Sequence, residues 1–516
     1  MSQKNELKLG SYEILAGIDY SARPPVAPSY IFLIDVSKGN QEILQTISQV
    51  LRELILEGNI PGGERKQFGF ITYDKDVHLY RLKYNLNQPQ MVVLSDWENQ
   101  DQDLPFYEDL VVSLDTCQDL ILCLIESLPK LFIENQVKFS NISNAIQVAV
   151  KIFKHIGGRL LIFQHNQIKE EENRQVNNDN YYRESNNTFF KDISKEIQQY
   201  FICPSIFVFS ESFINIINLL DFTKYLNGDI FYYYSIQNQR QNFEQNLRQC
   251  LKKQITWESV FRLRCSQGFS VSQIIGNYCV RQGDLLTFQS DEYNFLFFLI
   301  NQLNLRNKTL LYEFEMDQHF ERKINNFSIQ TALLYTSSDG IRKIRCHNYI
   351  IPLSSDIFDI YNQADCQVLT AYIAKVSSNS LYNQNILQIR QNIIEITRAL
   401  FNFLCIFQEF LKIQCLTVNI VKRYLFIYIK NLIQVKHITT DINNCLRIFF
   451  NSVNVEEMVL HFVPALFCID NMQDKSIVDS KGQYICPKQM ITSFNSLGKT
   501  AYLMDTGTVL IMYINK

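Results

Sequence analysis

Between residues 30 and 250 the apolar positions alternate between short unbroken runs and longer stretches at helical spacing. Tyr30 to Ile34 is fully apolar and follows Pro24, Pro25 and Pro28. Each proline fixes its own φ and pushes the preceding residue toward extended backbone, so the run predicts a strand. Without polar alternation, that strand is expected to be buried on both faces, as in a parallel sheet covered by helices. In 41–57, Ile43, Leu44, Ile47, Val50, Leu51, Leu54 and Ile55 recur at helical spacing until Gly58 stops them. Phe68–Tyr73 and Val77–Tyr80 flank Lys75-Asp76 and predict a hairpin. Met91–Leu94 is a further strand, followed by helices over 115–128 and 141–156. Gly157-Gly158 then precede a strand at 159–163, a helix at 189–199, a strand at 206–209, a helix near 213–226 and a strand at 230–234. Strands and helices in alternation imply a mostly parallel sheet with helices on both faces.

Around 257 the pattern changes. Val260–Arg264, Tyr278–Arg281, Phe295–Ile300, Thr331–Tyr335 and Ile341–Arg345 are short strand-like segments with turn residues between them, predicting an all-β sandwich or barrel. From 356 to 450 the text is helical again, with long periodic stretches at 363–376 and 384–411. Ala501–Ile514 reads as two strands around Asp505–Gly507, and the polar run 171–187 reads as a loop insertion. The expected fold class is multidomain: α/β, then all-β, then all-α. Residues 1–27 form an extended lead-in expected to pair with the sandwich, 28–252 the α/β unit, 253–355 the sandwich, 356–470 the helical domain and 471–516 a final strand-bearing part.

Charge and composition narrow the function. The 516 residues carry a net charge of −3, which does not mark a nucleic-acid binder. Thirteen cysteines show no C-x-x-C pair and no zinc-spaced Cys/His cluster, a usage that fits a reducing compartment. The start, MSQKNELKLG, has no apolar signal-peptide core, and the greasiest stretch, 399–421, is broken by Gln408, Glu409, Lys412 and Gln414. A cytosolic protein is expected. Pro61–Lys66 lacks the spacing and Ser/Thr of a phosphate loop, and neither G-x-S-x-G nor H-E-x-x-H occurs. The seven histidines (78, 155, 165, 319, 347, 437, 461) are dispersed. The reading is non-enzymatic.

Two motifs carry candidate chemistry. Asp35-Val36-Ser37 is similar to the start of a von Willebrand factor A metal site, where Asp-x-Ser-x-Ser, a distant Thr and a terminal Asp surround a hard cation with oxygen. Here Gly39 stands for the second serine, Lys38 adds a positive charge, and the strand that would carry the terminal Asp ends Phe163-Gln164-His165. The expectation is a degenerate site in which Asp35 and Ser37 satisfy backbone groups and no metal is held. The second motif is Arg342-Lys343-Ile344-Arg345, just after Tyr335–Gly340. In a strand, Lys343 and Arg345 share one face and Arg342 takes the other. Cations beside aromatic and hydroxyl groups suit capture of an acidic peptide or phosphate. Charge protecting an edge strand explains them equally well.

Taken together, RPPVAPSYIFLIDVS (23–37), FGFITYDKDVHLYRL (68–82), QPQMVVLSD (88–96), LPKLF (128–132), GGRLLIFQ (157–164), FYYYS (231–235), LRCSQGFSV (263–271), TALLYTSSDGIRKIRCHNYIIPL (331–353), DIYNQADCQ (359–367) and AYLMDTGTVLIMYINK (501–516) resemble, in order, the cargo-adaptor subunit of the inner COPII vesicle coat. The Gln-Pro-Gln and Leu-Leu-Tyr-Thr-Ser-Ser elements favour this subunit over its sister, the GTPase-activating subunit. The resemblance implies a von Willebrand A-like trunk, a β-sandwich, a helical domain and, over 471–516, the first part of a gelsolin-like domain. It implies a non-catalytic adaptor for endoplasmic-reticulum-to-Golgi transport, cytoplasmic and peripheral on COPII vesicles and endoplasmic reticulum exit sites. Its implied partners are the GTPase-activating subunit, the small coat GTPase, the cytosolic tails of cargo membrane proteins and the endoplasmic reticulum membrane, with no nucleic acid. Cargo-signal binding is expected at Leu334, Tyr335, Arg342, Lys343 and Arg345. The family's four-cysteine zinc finger lies before the trunk, so no cofactor is expected in this chain. Two alternatives stay open: a coat scaffold without cargo recognition, and a metal-dependent von Willebrand A-type ligand-binding domain.

Overall fold

A computed structural model describes residues 8–20, 24–95, 97, 103–154, 156–168, 188–212, 214, 216–253, 255–282, 284–292, 309–317, 325–356, 359–360, 363–380, 388–389, 391–395, 438–462, 465–468, 489–490, 501–505 and 510–514. The expected loop at 171–187, the strand at 295–300 and most of the helix at 384–411 lie outside them. The chain divides into two compact units, one of residues 1–303, 312–355 and 436–449, the other of 304–311, 356–435 and 450–516.

The first unit opens with a short strand, β1 (Ser11–Leu15), and then the predicted apolar strand, β2 (Ser29–Asp35). There follow α1 (Gln41–Glu57), β3 (Gln67–Tyr73), β4 (Val77–Arg81), β5 (Gln90–Leu94), β6 (Val111–Ser113), α2 (Leu114–Leu131), β7 (Phe139–Ser140) and α3 (Ile142–Phe153). The trunk is completed by β8 (Gly158–Gln164), β9 (Gln167–Ile168), α4 (Thr188–Ile197), β10 (Ile202–Phe209), α5 (Ile217–Tyr225), β11 (Asp229–Tyr233) and α6 (Ile236–Lys252). Its main sheet runs β11-β10-β8-β2-β3-β4-β5, with β6 on β3. The contacts from β11 through β3 are parallel, while β4, β5 and β6 are antiparallel. The predicted hairpin forms between β3 and β4, with Tyr73 opposite Val77.

Burial on both faces of β2 accounts for its unbroken hydrophobicity. Tyr30, Phe32 and Ile34 point into a core closed by α1, α2 and α6. Ile31 and Leu33 point into a second core closed by α3, α4 and α5. Each such side chain stabilises the fold by about 1.5–3 kcal/mol relative to exposure. Gly58 ends α1 in the left-handed region at φ 67°, where its N–H reaches the carbonyl of Ile55. Gly158 has φ 143°, and a Cβ there would lie 2.5 Å from the Ser29 carbonyl oxygen. Only glycine lets β8 start this close to β2.

The sandwich follows without a linker: β12 (Ile255–Cys265), β13 (Phe269–Ile275), β14 (Cys279–Gln282), β15 (Leu285–Glu292), β16 (Leu311–Met316), β17 (Asn326–Thr336) and β18 (Arg342–Pro352). One sheet has the order β1-β18-β17-β12-β15-β14, so the lead-in strand forms its edge, and β13 pairs with β16 in another. Phe269, Phe314 and Phe327 pack between the sheets, with centroids 4.2 Å apart for Phe269–Phe327 and 5.2 Å for Phe314–Phe327. Trp257, near the start of β12, belongs to the trunk core and meets Tyr30 edge-on at 6.0 Å. The β12–β17 register shifts between Trp257 and Val260, and Glu258 between them has φ 50°. This bulge turns the indole out of the sandwich strand and into the trunk.

The second unit contains α7 (Cys366–Ser380), the end of α8 (Ile438–Ser452), α9 (Val455–Phe462) and an antiparallel sheet. That sheet has the order β20 (Gln489–Met490), β19 (Ala465–Cys468), β21 (Ala501–Asp505), β22 (Leu510–Ile514). The two expected terminal strands pair with each other, Ala501 opposite Ile514, and β21 pairs with β19. In this unit Lys375 is fully buried, its Nζ donating to the carbonyls of Asn451 at 2.7 Å and Thr309 at 3.3 Å. Burial pushes its amine down to about 7.

Candidate functional site

The carboxyl ends of β2 and β8 meet where a von Willebrand A fold would hold its cation. Asp35 is completely buried. Its Oδ1 accepts from the Ser37 N–H at 2.9 Å and from the Ser37 hydroxyl. Its Oδ2 accepts from the backbone N–H groups of His165 and Asn166, both at 3.0 Å, and from Gln164 Nε2 at 3.3 Å. Asn166 Nδ2 donates to Ser37 Oγ at 2.8 Å. Every oxygen that would face a cation therefore faces donors, and Gln164 supplies an N–H where the metal site needs a carboxylate. The residues present do not fit a divalent ion. Among the described residues, no cluster of three or more His, Cys, Asp and Glu side chains is placed to hold one. Asp35 instead ties the β2 turn to the end of β8, beside a polar cleft of about 910 Å³ lined in part by Lys38, His165, Asn166 and Ser210.

The second candidate lies on the sandwich. Register and alternation divide the five expected residues between the two faces of the sheet. Tyr335 is opposite Lys343, and Arg345 is opposite Glu13 and Leu333, so Tyr335, Lys343, Arg345 and Glu13 share a face. Leu334 pairs with Ile344 and Arg342 with Thr336, which puts Leu334 and Arg342 on the other face. Arg342 turns inward there, Nη1 donating to Thr336 Oγ1 at 2.7 Å and to the carbonyl of Glu258 at 3.1 Å.

The three residues sharing a face converge on Glu13. Its Oε2 accepts from the Tyr335 hydroxyl at 2.7 Å and from Arg345 Nε and Nη2 at 3.0 and 2.6 Å. Its Oε1 lies 2.9 Å from Lys343 Nζ. Burial alone would raise the Glu13 pKa, but bonds from Lys343 and Tyr335 and the charge of Arg345 outweigh it and hold the carboxyl below its usual range. Lys343 also lines a cleft of about 350 Å³ between trunk and sandwich, with Gly62 and Lys252 on one side and Ser338 and Asp339 on the other. The arrangement is an internal cluster in which two cations and a phenol on one face hold the chain's own carboxylate.

Sequence reasoning did not find Glu13 or Asp441. Alternation in Ser11-Tyr-Glu-Ile-Leu signals a strand, but nothing local indicates which strand its acid meets. Asp441 on α8 is fully buried and accepts from the N–H groups of Ile214 at 3.0 Å and Ile216 at 3.2 Å, pinning α8 to the trunk. Among the described residues no helix is long and apolar enough to cross a membrane.

A von Willebrand A-like trunk whose metal position is filled by hydrogen bonds, joined through Trp257 to a β-sandwich, defines a trunk-and-sandwich class of protein. Family models described as the Sec23/Sec24 trunk domain and the Sec23/Sec24 beta-sandwich domain match residues 25–251 and 256–354. The chain belongs to the Sec23/Sec24 family, on its Sec24 branch. It is similar to the protein transport protein SEC24 A of Arabidopsis thaliana, 31% identical over 392 residues, covering 73% of this chain and 36% of that protein. It is also similar to human Sec24A, 27% identical over 544 residues, covering 100% of this chain and 48% of that protein. The chain thus spans less than half the length of these relatives. The crystal structure of the human COPII-coat protein Sec24c has the same fold, with a TM-score of 0.85 over all of this chain and 68% of that one, at 23% identity. Sec24-family proteins are structural coat adaptors and not enzymes, in agreement with the absence of catalytic motifs noted in the sequence.

Proposed function

We propose that this chain acts as a non-catalytic adaptor of the COPII coat, pairing through its trunk with the GTPase-activating coat subunit beside the small coat GTPase. It works at the cytosolic face of the endoplasmic reticulum membrane, at exit sites and on vesicles, and needs no cofactor within these residues. Acidic sorting signals in cargo tails are taken by Lys343 and Arg345 with Tyr335. The observation supporting the last point is the Glu13 carboxylate, held at 2.6–3.0 Å by those same three side chains. Charge-assisted bonds of this kind do not depend on which segment supplies the acid.

Tagged chain recovered from its own cells should bring down the GTPase-activating subunit, and recovery of folded chain alone overturns the pairing. Replacing Lys343 and Arg345 by Ala should weaken capture of acidic cargo-tail peptides at least tenfold. Unchanged capture would leave a second reading, a coat scaffold without cargo recognition. One observation favours that reading: Glu13 already neutralises the two cations in the resting chain.

A further inference from the structure

The segment that supplies Glu13 is a short edge element. β1 has five residues, lies at the outer edge of its sheet, and is flanked by Gly10 and Gly17. Leu15 is 73% exposed and Ile14 44% exposed, so the strand buries little apolar surface. It is retained by the ladder to β18, from Ser11 opposite His347 to Leu15 opposite Lys343, by bonds from the Asn348 N–H to the Gly10 carbonyl at 2.7 Å and from the Ala16 N–H to the Arg342 carbonyl at 2.9 Å, by the Glu13 carboxylate and by a 2.7 Å contact between Ser11 Oγ and His347 Nδ1. Short edge elements with few buried contacts open at a small fraction of the global unfolding free energy. Opening this one would uncover a row of β18 N–H and C=O groups beside Arg345, Lys343 and the Tyr335 hydroxyl. An extended peptide with one carboxylate in register satisfies all of them, through main-chain pairing for affinity and the acid for register.

We infer that β1 is a displaceable internal strap, and that an extended acidic peptide from a partner replaces it by adding its own strand to β18 with a carboxylate in the place of Glu13. This rests on the reading that Lys343 and Arg345 receive cargo acids, and it supplies the regulation of that site. The strap has the advantage of being tethered, so a free peptide must overcome a high effective concentration of the resident strand. The site is therefore closed to weak ligands and opens to those that match both the ladder and the charge.

The test uses the full chain and a fluorescent peptide copying residues 8–17, KLGSYEILAG, read by anisotropy. A chain carrying Glu13→Gln should bind this probe at least tenfold more tightly than wild type, and a probe with Gln for its own Glu should bind at least tenfold more weakly. Tyr12 lies opposite Cys346 in the register, so Tyr12→Cys allows a disulfide that locks the strap in place. The oxidised variant should not bind the probe, and reduction should restore binding, with oxidised wild type as control. Equal affinities of wild type and Glu13→Gln chains, or equal binding by locked and reduced Tyr12→Cys, overturns the strap. If the disulfide does not form, the Glu13→Gln comparison decides alone. An acidic cargo-tail peptide that binds locked and reduced chain equally keeps the cargo reading and overturns the strap. A probe that binds as expected while no cargo tail binds keeps the strap and overturns the cargo reading.

Discussion

Glu13 and Arg345 face each other across neighbouring antiparallel strands, and one carboxylate oxygen accepts both guanidinium bonds, at 3.0 Å from Nε and 2.6 Å from Nη2. The pair is partly open to solvent, with side-chain exposures of 26% and 11%, so screening limits its worth. A double-mutant cycle of Glu13→Ala and Arg345→Ala, measured by urea unfolding, should give a coupling of about 1 kcal/mol. The coupling should shrink in high salt, and a value indistinguishable from zero at low salt would count against a carboxylate-binding role for Lys343 and Arg345.

Asp35 should behave as a structural acid. Replacing it by Ala takes the acceptor from four donors in a buried place, Gln164 keeping Ser140 and the Asn166 carbonyl, and should cost about 3 kcal/mol or more. Addition of Mg²⁺ or Mn²⁺ to the wild-type chain should leave the melting temperature unchanged. A metal-dependent rise would restore the cation-binding reading.

Asp441→Ala should destabilise the first unit by about 2–3 kcal/mol, because two buried N–H groups lose a charged acceptor. Asp441→Asn should recover part of the loss. Hydrogen exchange at Ile214 and Ile216 reads the effect directly, and unchanged protection in the Ala variant would contradict the capping role.

Lys375 sets a pH dependence. Its amine is held near 7 when folded, below the ordinary lysine value of 10.5, so between those values the unfolded chain binds the extra proton. Stability of the second unit should rise with pH from about 7 toward 10.5 and be lowest below 7, where the buried amine is charged. Lys375→Met should flatten that slope. A variant that keeps the wild-type dependence would place its source elsewhere.

Trp257→Ala should loosen the trunk from the sandwich. Loss of a buried indole costs about 3–5 kcal/mol. The expected outcome by calorimetry is one transition for the first unit in the wild type and two in the variant; one sharp transition at nearly the wild-type temperature would mean that the junction is held by other contacts.

How much of this was legible depended on how local the cause was. The double-sided burial of Tyr30–Ile34 was visible because it leaves a run with no polar alternation, and Gly58 marked the end of α1 because that turn needs a left-handed residue. The departures at Gly39, Lys38 and Gln164 were legible, but the bonds that Gln164, His165 and Asn166 give Asp35 were not. Long-range pairing was not. The helix expected near 213 begins at Ile217, since the N–H groups of Ile214 and Ile216 are turned toward an acid 227 and 225 residues away. Likewise the cations of β18 read as free for a ligand because the acid that meets them stands 332 residues earlier in the chain. Strand alternation put Arg342 on the face opposite Lys343 and Arg345, but placing Leu334 with Arg342 needed the register of β17 against β18.

The five hydrogen bonds that absorb Asp35 have a consequence for how the trunk can be controlled. Von Willebrand A folds that bind through a cation can be tuned by the supply of that ion. Here the same end of the sheet is tied by the chain's own amides and the Ser37 hydroxyl, so a melting temperature that ignores Mg²⁺ would mean that the supply of this ion has no lever on it.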